Sequence, residues 1–193
     1  MGGEDEARRV IAESGGAIFF SGHYGMLELA AIDLTHRFDA SSIQADTREG
    51  TSADRLTRMR TALGARTIQR GDPRELTRAL KSGKPVGMVV DHDVAAVKGV
   101  FVPFFGRLSH TVIGPGTFAA RLGIPMIGIR IEWISLTRHR IHYGPAVFPR
   151  TDLPKAEAAP ELMARVTRLI EAQIRERPDH WMWLHRRWAT TID

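Results

Sequence analysis

Short apolar runs that end in clusters of polar residues restrict the fold of this chain more than any other feature. Residues 17–20 are apolar and lead into Ser-Gly-His-Tyr-Gly, and residues 85–90 are apolar and lead into Asp-His-Asp. Runs of this length without polar alternation are typical of strands covered on both faces of a sheet. Segments with apolar residues at helical spacing separate them, so the sequence predicts alternating strands and helices.

The remaining pattern predicts an α/β fold with a central, mostly parallel or mixed sheet flanked by helices. The clearest helix has Asp72 as its N-cap, Pro73 in its first position and Gly83 beyond its end. Segments of irregular structure are expected between residues 93 and 115 and at residues 151–160. Further helices are expected at residues 26–34, 56–63, 115–122 and 161–176, and further strands at residues 42–45, 127–133 and 141–143.

Length and composition favour one compact, enzyme-sized domain over an extended or disordered chain. The 193 residues, 43% hydrophobic and 25% charged, fit a single globular domain over residues 1–193. The absence of cysteine excludes disulfides, thiolate metal sites and thiol nucleophiles. No run reaches the roughly 18 to 20 apolar residues of a transmembrane helix, so an intracellular or membrane-peripheral protein is expected.

The net charge of +5, carried mostly by arginine, is compatible with an anionic partner. A phospholipid surface, a phosphorylated substrate, an acidic carrier protein and nucleic acid all fit that charge. Genome composition explains the arginine excess equally well.

His23 and Glu28 form the first candidate pair for acid/base chemistry. The glycine-flanked loop that holds His23 precedes the helix whose first turn holds Glu28, so the loop can bring the imidazole back to the carboxylate. A carboxylate that fixes the tautomer of an imidazole prepares it to take a proton from a hydroxyl. A turn histidine and a surface glutamate at this spacing also occur by chance.

Asp91, His92 and Asp93 form the second polar cluster, at the end of a predicted buried strand. Paired carboxylates are ligands for divalent metals, which suggests a metal-dependent hydrolase or glycosyltransferase. Alternatively, Asp91 supports the first cluster or the substrate. An ordinary polar loop in which Asp93 acts as a cap is the remaining interpretation.

Two aromatic segments have both a binding and a structural interpretation. Residues 99–107 place Phe104, Phe105 and Gly106 in an apolar run that either lines a groove for an apolar ligand or packs into the core. Residues 178–188 place three tryptophans beside Arg186 and Arg187, a pattern that suits phosphate contacts, an interface or nucleic acid. Core tryptophans with structural arginines are the alternative.

These motifs together resemble one family. The segments that carry the resemblance are Ser-Gly-His-Tyr-Gly-Met-Leu-Glu-Leu at 21–29, Asp-His-Asp at 91–93, Val-Phe-Val-Pro-Phe-Phe-Gly at 100–106 and Trp-Met-Trp-Leu-His-Arg-Arg-Trp at 181–188. Over residues 16–188 the chain resembles the lipid A biosynthesis (lauroyl/myristoyl) acyltransferases of the glycerolipid and lysophospholipid acyltransferase superfamily.

The resemblance implies an O-acyltransferase in which His23 is the general base and Glu28 its orienting carboxylate. It implies an acyl carrier protein or coenzyme A thioester as co-substrate and a hydroxyl of a lipid or glycolipid as acceptor, with no metal, no other cofactor and no nucleic acid. The expected location is cytoplasmic, peripheral on the inner membrane. The residues we expect at the substrate are Gly25, Arg48, Asp91, Phe104, Phe105, Gly106, Arg186 and Arg187.

Two departures from the family accompany this resemblance. The chain begins almost at the catalytic strand, so the family's N-terminal anchor region is expected to be absent. The family's arginine after the second strand falls near Ala45, with Arg48 as the nearest substitute. A metal-dependent enzyme using Asp91 and Asp93, and a non-catalytic module that binds anionic lipid, remain the alternative functions.

Overall fold

The computed structural model describes residues 3–44 and 50–192 and has a six-stranded sheet at its centre. The strand order is β3-β2-β4-β1-β7-β8, and every neighbouring pair is parallel except β7 with β8. This confirms the predicted α/β fold with a mostly parallel, mixed sheet flanked by helices. The strands of this sheet are β1 (Ile18–Ser21), β2 (Ser41–Gln44), β3 (Arg66–Gln69), β4 (Val86–Val89), β7 (Met126–Ser135) and β8 (Arg138–Val147).

In the described part of the chain, six helices and a separate β-hairpin surround the sheet. Of these helices in residues 3–44 and 50–192, none is both long and apolar enough to cross a bilayer. The helices are α1 (Glu4–Ser14), α2 (Leu27–Phe38), α3 (Ser52–Ala62), α4 (Pro73–Lys81), α5 (Gly114–Leu122) and α6 (Lys155–Glu176), and the hairpin strands are β5 (Gly99–Phe104) and β6 (Arg107–Val112). A 3₁₀ turn, Pro178–His180, follows α6.

The central strand β1 is buried on both faces, as its apolar run predicts. Ile18 and Phe20 pack into one cluster with side chains of α4, α5 and α6. Phe19 points to the other face and packs with residues of α1 and α2. Burial on both faces fixes β1 in the middle of the sheet, so the polar loop that follows it emerges at the carboxyl edge beside the end of β4.

Helix α6 begins earlier than the sequence pattern suggests. Residues 155–160, expected to be loop, are helical, and Pro160 lies inside α6. The reason is tertiary packing: Ala158 and Ala159 are buried against α5. The close approach of the two helices holds this turn in place despite the proline.

The predicted irregular segment between residues 93 and 115 contains the β5–β6 hairpin. Its two-residue turn is Phe105-Gly106, with φ of 50° and 76°, and β5 and β6 pair directly on either side of it. A non-glycine residue rarely adopts positive φ. The Phe105 amide donates to Glu171 Oε2 on α6 at 2.7 Å, and this long-range bond holds the turn.

Replacing Gly116 should separate α5 from α6. A Cβ at Gly116 would lie 2.8 Å from the Ala159 carbonyl oxygen and 2.8 Å from Met163 Cγ, so the helices must move apart. We expect Gly116→Ala to lower the free energy of unfolding by about 1 to 3 kcal/mol in urea denaturation. The matched control is Gly114→Ala in the same helix, where a Cβ meets nothing within 4 Å and stability should be unchanged or slightly raised. Equal effects of the two substitutions would contradict this packing.

Candidate active site

The imidazole of His23 lies at the carboxyl edge of the sheet, in the loop between β1 and α2. Its Nδ1 is 2.7 Å from Asp91 Oδ1, and its backbone amide donates to Asp91 Oδ2 at 2.7 Å. Because β1 and β4 are neighbours, their carboxyl ends bring these two residues together. The buried Asp91 therefore fixes both the backbone and the ring of His23.

The state of Asp91 determines the tautomer of His23. Burial opposes ionisation of Asp91, but hydrogen bonds from His23 and Trp181 outweigh it and lower the pKa of the carboxyl. An ionised carboxylate only accepts hydrogen bonds, so His23 Nδ1 must carry the proton. Nε2, which has no hydrogen bond to another residue in the described ranges, is left with the lone pair that a general base requires.

The C-terminal segment completes this arrangement. Trp181 Nε1 donates to Asp91 Oδ2 at 2.7 Å, and the Met182 amide donates to the His23 carbonyl at 3.0 Å. The Gly25 amide donates to the His180 carbonyl at 2.8 Å. Three segments far apart in the sequence thus meet around one carboxylate.

The glycines around His23 are needed for this close packing. A Cβ at Gly22 would lie 2.9 Å from Asp91 Oδ2, and a Cβ at Gly25 would lie 2.3 Å from the Ile131 carbonyl oxygen. Gly25 also has a φ of 63°, in the left-handed region. Gly25 lines the cavity beside His23, and its contact with the substrate stays a prediction.

Glu28 lies in the first turn of α2 and pairs with a residue that the sequence analysis did not single out. Its two carboxylate oxygens accept from Arg60 on α3, with Oε1 2.6 Å from Nη2. His23 has its carboxylate contact with Asp91 instead, so the expected His23–Glu28 hydrogen bond is not formed. The reason is the parallel pairing of β1 with β4, which places Asp91 directly beside the loop.

Two further histidines extend a row of rings that begins at His23. The His92 ring lies parallel to the His23 ring with centroids 3.4 Å apart, and the His185 ring is 3.9 Å from that of His92. Burial, together with the neighbouring His23 and His185, lowers the pKa of His92 to about 4. The pKa of His185 is also lowered, chiefly by burial. At neutral pH the rings of His92 and His185 are therefore uncharged.

A cavity of about 800 Å³ opens beside His23. Its walls are mainly apolar side chains of α2, β2, β4 and α5, and His23, Glu28, Arg60 and Arg70 supply polar groups to its lining. Such a volume lies in the range of small-molecule sites. The apolar walls include Ala30, Leu34, Ile43, Met88, Val112 and Phe118.

The phenylalanine-rich segment lies away from this cavity. Phe104 is fully buried and packs against Trp181 and Trp188, while Arg175 lies over the ring of Phe105. Phe104, Phe105 and Gly106 build the hairpin turn and the core beneath it and do not line the cavity. Of the two interpretations of this segment, packing into the core therefore describes the structure. The expected groove for an apolar ligand is not formed by these three residues.

The two arginines near the C-terminus have different environments. Arg187 is buried, donates to the His110 carbonyl and to Thr111 Oγ1 on β6, and lies over the Phe104 ring. Its burial lowers its pKa. Arg187 thus attaches the C-terminal segment to the hairpin, away from the cavity, whereas Arg186 is exposed. Arg48 and Ala45 lie outside the described residues.

Asp91 and Asp93 do not converge on a shared site. Asp93 accepts from the Thr190 amide and hydroxyl at 2.7 Å each, and thereby caps the C-terminal segment. Within the described ranges, one cluster has suitable metal-ligand atoms, all within 4.8 Å of one another: His23, Asp91 and His92. Both oxygens of Asp91 already accept hydrogen bonds in this cluster, so its lone pairs are directed at protein donors.

Acid should destabilise this site through His92. Its pKa is about 4 in the fold against 6.5 ordinarily, so between these values the unfolded chain binds more protons and stability falls as the pH falls. Allowing for solvent screening, we expect a loss of about 1 to 2 kcal/mol over this window in urea unfolding. His92→Gln should flatten the slope and the exposed control His36→Gln should not; an unchanged slope in His92→Gln would contradict the assignment.

Comparison with known proteins finds relatives that are enzymes of lipid A biosynthesis. The lipid A biosynthesis lauroyltransferase of Escherichia coli (strain K12) is 28% identical over 127 residues, which are 64% of this chain and 40% of that protein. The lipid A biosynthesis palmitoleoyltransferase of the same organism is 27% identical over 128 residues, 64% of this chain and 39% of that protein. The matched segment is thus about two fifths of each relative.

The family model described as bacterial lipid A biosynthesis acyltransferase matches residues 1–190, almost the whole chain. This match confirms the resemblance that the motifs indicate. The chain belongs to the bacterial lipid A biosynthesis acyltransferase family.

Proposed function

We propose that this protein transfers a fatty acyl group from a thioester to a hydroxyl of a lipid A-like glycolipid at the cytoplasmic face of the membrane. The observation that carries the proposal is the position of His23: its Nδ1 is held by Asp91, and it lies at the wall of a large, mainly apolar cavity. The base and the space for an acyl chain are therefore adjacent.

The proposed reaction uses one base and no covalent enzyme intermediate. His23 Nε2 takes the proton of the acceptor hydroxyl as the oxygen attacks the thioester carbonyl. The tetrahedral intermediate then collapses, the carbon–sulfur bond breaks, and the imidazolium returns the proton to the leaving thiolate. The products are an ester and a free thiol, and no resident cofactor takes part.

Asp91 is proposed as the residue that positions and stabilises the base. As the imidazole gains a proton, the adjacent carboxylate stabilises the positive charge and keeps the ring oriented. The Trp181 indole and the His23 backbone amide donate to this carboxylate and hold it ionised and in place. Asp91 thereby takes the role that the family resemblance gave to Glu28.

Glu28 and Arg60 are proposed to act at the substrate rather than on His23. Both line the cavity, where the Arg60 guanidinium can face an anionic or carbonyl group of a substrate. The carboxylate of Glu28 fixes the Arg60 fork through two hydrogen bonds. The donor is an acyl carrier protein or coenzyme A thioester, both of which present the same pantetheine thiol.

A metal-dependent hydrolase is the second candidate, because His23, Asp91 and His92 could hold a cation. Thioester consumption with release of one thiol per ester formed, unaffected by EDTA, supports acyl transfer. Loss of turnover in EDTA and its recovery on adding a divalent metal supports the hydrolase.

Removing the base should nearly abolish turnover. We expect His23→Ala to lower kcat by about 10²- to 10⁴-fold, because a positioned base contributes that much to proton transfer. Thiol release and mass spectrometry of the acylated lipid measure the effect, with His36→Ala as a matched histidine control. Turnover within threefold of the unaltered protein would contradict the role of His23.

Substitutions of the two carboxylates should separate their roles. Asp91→Asn should lower kcat by about 10²- to 10⁴-fold, because the amide no longer fixes the tautomer or stabilises the imidazolium. Glu28→Gln should act mainly on KM and should add little to Arg60→Gln in the double variant, because the two residues form one pair. Equal loss of kcat in Glu28→Gln and Asp91→Asn, without coupling to Arg60, would instead support Glu28 as the orienting carboxylate.

A further inference from the structure

Two exposed apolar segments lie beside the mouth of the cavity. The first is the tip of the β7–β8 hairpin, where Leu136 is 87% exposed, and the second follows Met182 in the C-terminal segment, where Leu184 is 96% exposed. Exposed aliphatic and aromatic groups in one region are uncommon on proteins that contact only water. We call the group the docking rim and define it as Trp133, Ile134, Leu136, Trp183 and Leu184.

Both segments of the docking rim lie at the edge of the sheet that carries His23. Strand β7 runs parallel to β1, and its last pairing with β1 is at Gly128, so the rest of β7 extends past that edge. The Trp133 amide donates to His180 Nε2 at 2.9 Å, and Trp183 Nε1 donates to the Pro178 carbonyl at 2.7 Å. The turn Pro178–His180 therefore holds the two segments together.

The docking rim is continuous with the cavity. His180, which binds Trp133, lines the cavity, and so does Met182, which precedes Trp183. Met26 also lines it, and Met26 and Met182 are about half exposed, at 47% and 49%. The docking rim and the cavity lining thus consist of neighbouring residues, and the two half-exposed methionines add apolar surface to that lining.

The charges around the docking rim are unpaired arginines and neutralised acids. Arg138 and Arg186 are exposed, and neither has an ion-pair partner in the part of the chain that the structure describes. Nearby Glu132 and Asp179 both contact Arg177 at 2.9 Å. The region thus presents net positive charge beside its apolar groups.

We propose that the docking rim inserts into the surface of an anionic lipid bilayer, with the cavity mouth held against the lipid headgroups. Tryptophan favours the membrane interface, leucine and isoleucine enter the acyl boundary, and arginine binds anionic headgroups. The inference rests on the proposed function, since a lipid acceptor must reach the cavity from a bilayer. It names the surface by which this chain would reach that acceptor.

Vesicle binding tests this surface. The protein should sediment with vesicles of phosphatidylcholine and phosphatidylglycerol and less with vesicles of phosphatidylcholine alone. Leu136→Ser and Leu184→Ser should each weaken binding by about tenfold, because each removes one inserted aliphatic side chain. Phe148→Ser is the matched control: Phe148 is 47% exposed but follows β8 at the opposite edge of the sheet, so its substitution should leave binding unchanged.

Enzyme turnover is a second test, measured with the acceptor lipid embedded in vesicles and with the same lipid dispersed in detergent. Leu136→Ser and Leu184→Ser should lose turnover of an acceptor embedded in vesicles and keep turnover of the same acceptor dispersed in detergent. Neither residue lines the cavity, so a loss in detergent as well would contradict docking as their role. Arg138→Gln with Arg186→Gln should reduce the preference for anionic vesicles.

Three results would overturn the proposal: no sedimentation of the unaltered protein, unchanged binding of the two leucine variants, or an equal loss in Phe148→Ser. A dimer that dissociates in Leu136→Ser without vesicles would instead assign the docking rim to a second copy of the chain. His23→Ala should bind vesicles normally, so docking and the proposed chemistry fail separately.

Discussion

One buried carboxylate holds the proposed catalytic centre together. Asp91 accepts from the His23 amide, the His23 ring and the Trp181 indole, and these three donors come from the loop after β1 and from the C-terminal segment. A buried charge is costly unless it is hydrogen-bonded, so the loop and the C-terminal segment are both held to the end of β4. The same bonds keep the carboxylate ionised and set the tautomer of the base. Structural and chemical requirements thus coincide in one side chain.

The surroundings of this carboxylate divide into a rigid side and an open side. On the rigid side, Asp91 binds the ring and backbone amide of His23, and Arg187 holds the C-terminal segment, which also binds Asp91, to the β5–β6 hairpin. On the open side, the apolar cavity and the Glu28–Arg60 pair face His23. Because Asp91 fixes the orientation of the His23 ring, the base keeps that orientation when a substrate enters through the cavity. The membership of the chain in a lipid A acyltransferase family agrees with this division.

Local sequence signals predicted the fold better than they predicted the site. The helix after Asp72 and the buried strand before Asp91 follow from capping and apolar runs, which act over a few residues. The early start of α6 and the turn at Phe105 depend on contacts with Ala159 and Glu171 that neighbouring residues do not reveal. The same holds for the site: the spacing of His23 and Glu28 suggested a pair, while strand order brought Asp91 to His23. The predicted parallel sheet placed both polar clusters at its carboxyl edge. The adjacency of β1 and β4, which makes Asp91 and His23 neighbours, was not predicted.

The tautomer of His23 is the most direct test of this account. In protein labelled with ¹⁵N at histidine, the nitrogen chemical shifts distinguish a protonated Nδ1 from a protonated Nε2. We expect His23 at neutral pH to have its proton on Nδ1, with a strongly deshielded Nδ1–H signal that disappears in Asp91→Asn. A neutral ring with its proton on Nε2, or an Nδ1–H signal unaffected by Asp91→Asn, would contradict the claim that this carboxylate prepares the base.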